Sequence, residues 1–130
     1  MKLGYVIIYV EKVADALAFY ESAFGLTRKF LHESGAYGEL STGEATLAFA
    51  SHELAGANLP DGYAKLTELA SPAGIEIGLV ADDVPAAIRG AVDAGATLIA
   101  EAKQKPWGQT VGYVRAPDGV LVELCTPMSG

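Results

Sequence analysis

The chain has 130 residues, 51% of them apolar, with 16 acidic against 9 basic side chains and a formal net charge of −7. That length supports one ordinary domain with a proper core, and the negative balance argues against nucleic acid and anionic membrane surfaces, whose phosphates would be repelled. The longest early apolar run, Tyr5–Val10, is too short for a signal-peptide core or a membrane span, and the lone Cys125 makes no internal disulfide, so a reducing cytoplasm is the expected location.

Taken along the chain, the β-branched run Tyr5–Val10 predicts a strand. Val13, Leu17, Tyr20 and Phe24 then recur at i, i+4, i+7 and i+11, one stripe of a helix that Gly25 ends. Extended segments follow over roughly 27–33, 37–42 and 45–51, with a Ser-Thr-Gly turn between the last two. Residues 52–73 form a long connector. Gly, Pro, Asn and Asp crowd its first half, and "YAKLTELA" (63–70) suits one or two helical turns. Such a segment is either functional, for example a lid, or a plain linker; both readings stay open.

The second half repeats this order. A strand over Ile75–Val80 precedes a helix opened by Asp82 and Asp83, with Pro85 in its first turn. Val84, Ile88 and Ala91 form the stripe, and Gly95 ends the helix. Three extended segments, 97–102, 110–115 and 120–126, close the chain around a Pro-Asp-Gly turn. Tyr5 lies over Glu76, Val13 over Val84, Leu17 over Ile88, Gly25 over Gly95, and Ala48 over Glu123. The unit is βαβββ, used twice: module one 1–51, connector 52–73, module two 74–127.

Paired βαβββ units that carry "YV..VADALAFYESAFGL" at the front and "PWGQTVGYVRAPDGVLVEL" at the back resemble the glyoxalase/bleomycin resistance/dioxygenase group, the vicinal oxygen chelate superfamily. The resemblance implies an α+β fold in which two tandem modules form curved half-barrel sheets around a cavity. It also implies a homodimer. For activity it leaves a wide field, since lyases, isomerases, dioxygenases, transferases and metal-free drug binders share that fold.

Strand alternation sorts the side chains. Ile75, Ile77 and Leu79 suit the helix side of their strand; Glu76, Gly78 and Val80 face the other way, with Tyr5, Ile7 and Tyr9 as counterparts. On the last strand Leu121, Glu123 and Cys125 share a face. In metal-using relatives the first and last strand of each module supply the ligands, which by resemblance fall on Tyr5, Ala48, Glu76 and Glu123. Glu76 and Glu123 match ligand types, Tyr5 is a rare ligand, and Ala48 binds no metal. The cofactor is then either a weakly held Mg²⁺ or Mn²⁺ on Glu76 and Glu123, or none. A tight Zn²⁺ or Ni²⁺ centre and a 2-His-1-carboxylate iron site are both disfavoured.

Two close carboxylates also resist joint ionisation, which would raise one pKa and suit a general base, so Glu76 and Glu123 are the catalytic candidates. The bland alternative pairs them with Arg115, Tyr5 or water. Tyr5, Ile7, Tyr9, Ala48, Trp107 and Leu121 are candidate ligand contacts, with Tyr37, Tyr113 and Phe49 as further aromatic walls. His32 and His52 read as exposed polar residues, Lys103 and Lys105 as solvated, and Cys125 as a packed thiol. Two functions follow. One is a binding protein for a small hydrophobic or amphipathic molecule; the other is a glyoxalase-type lyase, isomerase or transferase that uses Glu76 and Glu123.

Overall fold

In the computed structural model, which describes residues 1–128, strand β1 (Tyr5–Val10) alternates as the sequence predicts. Ile8 and Val10 are buried on one side, while Tyr5 and Ile7 stand exposed on the other. Helix α1 (Val13–Phe24) covers the buried side with Val13, Ala16, Leu17, Tyr20 and Ala23. Gly25 ends it at φ 67°, and its N–H bonds Glu21 O. Strands β2 (Thr27–Leu31), β3 (Tyr37–Ser41) and β4 (Thr46–Ser51) complete a sheet of order β1-β4-β3-β2, with β1 and β4 parallel. The repeat is a second sheet of the same plan, β5-β8-β7-β6, built from β5 (Glu76–Val80), β6 (Thr97–Gln104), β7 (Thr110–Arg115) and β8 (Leu121–Cys125). Helix α3 (Val84–Asp93) covers it with the expected stripe of Val84, Ile88 and Ala91, and the Asp83 carboxylate caps it by accepting from Ala86 N at 3.1 Å.

The α+β fold of two βαβββ modules is therefore present. The chain divides into unit 1, Met1–Lys65, and unit 2, Leu66–Gly130. Each sheet carries a glycine beneath its helix. A Cβ on Gly38 would lie 2.7 Å from Leu17 Cδ1, and one on Gly112 would run into Ile88 Cδ1, so each helix packs directly on the β3 or β7 backbone.

The connector holds more structure than its composition predicts. Helix α2 (His52–Asn58) opens on Ser51, whose hydroxyl accepts from Leu54 N at 3.2 Å, and buries Ala55. In unit 1 the connector's Tyr63 packs on Tyr9 at 4.9 Å between centroids, and its hydroxyl lies 2.7 Å from His52 Nδ1. His52 is thus half-buried and partnered, a correction to its reading as an exposed polar residue; His32 is exposed and bonds Ser34. In unit 2 a short 3-10 turn, Leu66–Glu68, falls within the stretch expected to be helical. Arg115 Nη2 donates to Leu66 O at 2.8 Å and Leu69 O at 3.0 Å, tying that turn to β7.

Candidate functional site

The side of each sheet that faces away from its helix carries the candidate residues, because strand register lines them up in rows. In unit 2, Gly78 on β5 pairs with Glu123 on β8, and Glu123 pairs with Tyr113 on β7. Val122 and Leu124 point to the helix side and are buried, which turns Glu123 to the opposite side, where it is half-buried. The absence of a side chain on Gly78 leaves room for the carboxylate; a Cβ there would stand 3.6 Å from Glu123 Oε2. The other oxygen, Oε1, accepts from the Tyr113 hydroxyl at 3.0 Å.

Glu76 sits two residues before Gly78, on the same side of β5, close enough to Glu123 to feel its charge and hydrogen-bonding oxygens. Two carboxyl groups bond one another only through a proton, so the pair carries one charge when that bond is made. The Glu76 pKa is raised from its ordinary 4.5, first by loss of water and then by the charge and hydrogen bond of Glu123. Tyr113 is pushed up to about 12 by burial, by its bond to Glu123 and by the nearby carboxylate charges. It therefore stays a neutral donor. Cys125, buried as expected, donates to Leu79 O at 3.8 Å, and burial followed by Glu123 raises its thiol as well. A raised thiol is a poor nucleophile.

The two expected acids are thus brought together. Arg115, weighed as a partner for them, goes instead to the connector carbonyls. Leu121 pairs with Glu76 in the neighbouring row and is half-buried. Trp107 lies 59% exposed in the turn between β6 and β7, its indole N–H donating to Gln109 Oε1 at 2.7 Å. In unit 1 the corresponding row is Ile7, Ala48 and Glu39, and the next one over is Tyr9, Ala50 and Tyr37. Ala48 is fully buried, Ile7 and Tyr5 are exposed, and Tyr9 is half-buried beneath Tyr63. Phe49, proposed as an aromatic wall, lies on the helix side against Tyr20 and is a core residue.

Sequence reasoning missed Glu39, the one buried charged side chain among the described residues. Its Oε2 accepts from the Tyr37 hydroxyl at 2.8 Å, and its Oε1 is 3.6 Å from Lys29 Nζ. Burial and Glu39 together push Tyr37 up to about 12. The spacing Tyr-x-Glu on one strand was the available signal, since residues two apart share a face.

A family model described as Glyoxalase/Bleomycin resistance protein/Dioxygenase superfamily matches residues 2–124. The chain belongs to this superfamily. Among solved structures it is similar to a glyoxalase-related enzyme from Fulvimarina pelagi, with 18% identity, a TM-score of 0.83, and coverage of 98% of this chain and 88% of that one. A glyoxalase/bleomycin resistance protein/dioxygenase family enzyme from Burkholderia phytofirmans PsJN aligns with 22% identity and a TM-score of 0.81 over 97% of this chain and 98% of that one. TioX from Micromonospora sp. ML1 aligns with 19% identity and a TM-score of 0.69, covering 97% and 98%. These likenesses concern the fold. No curated protein sequence matches the chain.

The superfamily's four-ligand metal centre does not fit these residues. Ala48 offers no donor, and one Glu123 oxygen is already taken by the Tyr113 hydroxyl. Among the described residues no group of three or more His, Cys, Asp or Glu side chains comes together to hold an ion. No helix of the described residues is long and apolar enough to cross a membrane.

Proposed function

We propose that this superfamily member binds a small hydrophobic or amphipathic molecule, which meets Glu76 and Glu123 as a carboxyl pair sharing one proton. The observation that carries this reading is the half-buried Glu123, held by the Tyr113 hydroxyl on the side of the sheet that Glu76 shares, with no group of three or more His, Cys, Asp or Glu side chains fit to hold a metal among the described residues. Such a pair offers a ligand one donor and several acceptor positions without a full double charge. An exposed apolar side chain supports it. Val80 is 67% exposed on the same side of β5 as Glu76, a strand face that gains by being covered. Leu121 and Trp107, both in unit 2, complete the proposed contacts, with the Trp107 indole steadied by Gln109 for stacking. We place the protein in the cytoplasm as a homodimer, with 1–51 and 74–127 as its two modules and 52–73 joining them.

The test is thermal unfolding of the purified protein against a panel of amphipathic aromatic compounds, with metal content measured in parallel. A compound at a hundred times its Kd stabilises by about 2.7 kcal/mol. We expect Glu123→Leu to remove that gain. Near-stoichiometric divalent metal that disappears in Glu123→Ala would overturn the reading in favour of a metal centre.

The raised Glu76 pKa favours a second reading, proton transfer by a glyoxalase-type lyase or isomerase with Glu76 as acid and Glu123 as base. Exchange of α-carbon protons of simple aldehydes and ketones into D₂O, lost in Glu123→Gln, would support it over binding alone. No exchange above the rate of a denatured control removes it.

A further inference from the structure

Unit 1 carries a buried anion that the Glu76–Glu123 pair does not involve. Glu39 lies on β3, an inner strand, and points away from α1 because its neighbours Gly38 and Leu40 take the helix side. Its side chain is 10% exposed. A carboxylate has about four acceptor positions, and this one receives a single short hydrogen bond, from Tyr37. Burying a charge with so little compensation is costly. Among the described residues the one salt-bridge partner it has is Lys29, at 3.6 Å, beyond hydrogen-bonding distance and 58% exposed.

Lys29 reaches that place through a backbone irregularity. Arg28 pairs with Leu40 and Phe30 pairs with Glu39, so Lys29 is the extra residue of a β-bulge. Bulges re-aim side chains. The same kink occurs in unit 2 between Leu98 and Ala100, where the extra residue is Ile99 and the position of Glu39 is taken by Tyr113. The fold itself thus requires neither charge. Aromatic rings lie beside the anion: Phe30 pairs with Glu39 across the β2–β3 ladder, and its ring is 6.0 Å from that of Tyr37. Phe30 is 39% exposed. A carboxylate beside aromatic faces is the chemistry that recognises an organic ammonium, which gains both an ion pair and cation–π contact.

We propose that Glu39, Tyr37 and Phe30 form a subsite in unit 1 for the protonated amine of a small organic molecule, with Lys29 as its intramolecular competitor. The loose, exposed lysine occupies the anion in the free protein and yields to a ligand ammonium that also covers the rings. The subsite stands independently of the carboxyl pair in unit 2.

Calorimetric titration with n-hexylammonium, using hexan-1-ol as the neutral control, tests it. Hexylammonium is expected to bind and hexanol to bind at least about tenfold more weakly. Glu39→Gln, which keeps the shape and the Tyr37 contact, is expected to cut hexylammonium affinity about tenfold or more. Lys29→Met, a change at an exposed position, is expected to raise it several-fold. Equal affinity for amine and alcohol, no amine binding by either the parent or Lys29→Met, or unaltered binding by Glu39→Gln would overturn the proposal. Loss of binding in Glu76→Gln but not in Glu39→Gln would do so too, and would assign the amine to unit 2.

Discussion

The two sheets share strand order, helix cover, bulge and buried glycine, yet differ in the row that crosses each face opposite the helix. In unit 1 that row reads Ile7, Ala48, Glu39, Phe30; in unit 2 it reads Gly78, Glu123, Tyr113, Ala100. The acid stands on β3 in one and on β8 in the other, one strand over, and a tyrosine hydroxyl holds it in both. What differs is the second partner. Glu39 is buried with a lysine 3.6 Å away; Glu123 has another acid, Glu76, beside it, whose pKa it helps to raise. A repeated fold therefore fixes where side chains can point, while each copy settles its own charge.

The largest expected contrast lies in the hairpin glycines. Gly43 and Gly119 hold equivalent turns, at φ 99° and 94°, a region L side chains rarely adopt. A Cβ on Gly43 meets nothing, whereas one on Gly119 would lie 2.6 Å from the Leu66 backbone carbon. Gly43→Ala should cost only the strain, about 1–2 kcal/mol. Gly119→Ala should cost about 3 kcal/mol or more, because it also pushes away the turn that Arg115 holds. Urea unfolding of both variants checks the difference. Equal losses would mean that the connector does not press on the hairpin.

Next in size is the tyrosine exchange. Tyr37→Phe leaves a buried carboxylate with only a distant lysine, and a hydrogen bond to a charged group contributes about 1.5–3 kcal/mol. Tyr113→Phe leaves a Glu123 that is only half-buried, so the loss should stay below about 1 kcal/mol. The same urea series measures both. A larger loss for Tyr113→Phe would reverse the assignment of which acid depends on its phenol.

The features legible in the sequence were those set by periodicity and turn chemistry. Val84, Ile88 and Ala91 repeat at helical spacing and are buried together; Gly25 and Gly95 take positive φ where the helices end. That Glu76 and Glu123 stand on one side of neighbouring strands was also legible, because each strand alternates. The rest depended on tertiary context. Helix α2, "HELAGAN", contains a glycine and ends in asparagine, and its sequence reads as loop; the Ser51 cap and the burial of Ala55 stabilise it. Glu39 in "YGELS" alternates as a solvent-facing residue would. Only the pairing of β3 between β4 and β2 makes its position interior. His52 similarly gained its partner from Tyr63, eleven residues on, which no local pattern foretells.

The smallest effect concerns pH and separates the units most directly. Glu76 binds its proton more tightly in the folded chain than in the unfolded one, since its pKa is raised from 4.5. The folded state then holds more protons, so unit 2 loses stability as pH rises from about that value through the raised pKa. Because Glu76 is exposed, solvent screening keeps the loss below about 1 kcal/mol. Glu76→Gln retains a donor to Glu123 at every pH and should flatten this part of the profile, leaving the variant slightly more stable than the parent at pH 7. Unfolding midpoints measured between pH 4 and pH 8 test the sign. A parent that gains stability on this account as pH rises, with Glu76→Gln losing the gain, would mean that the two acids are jointly ionised and held by a cation instead of by a proton.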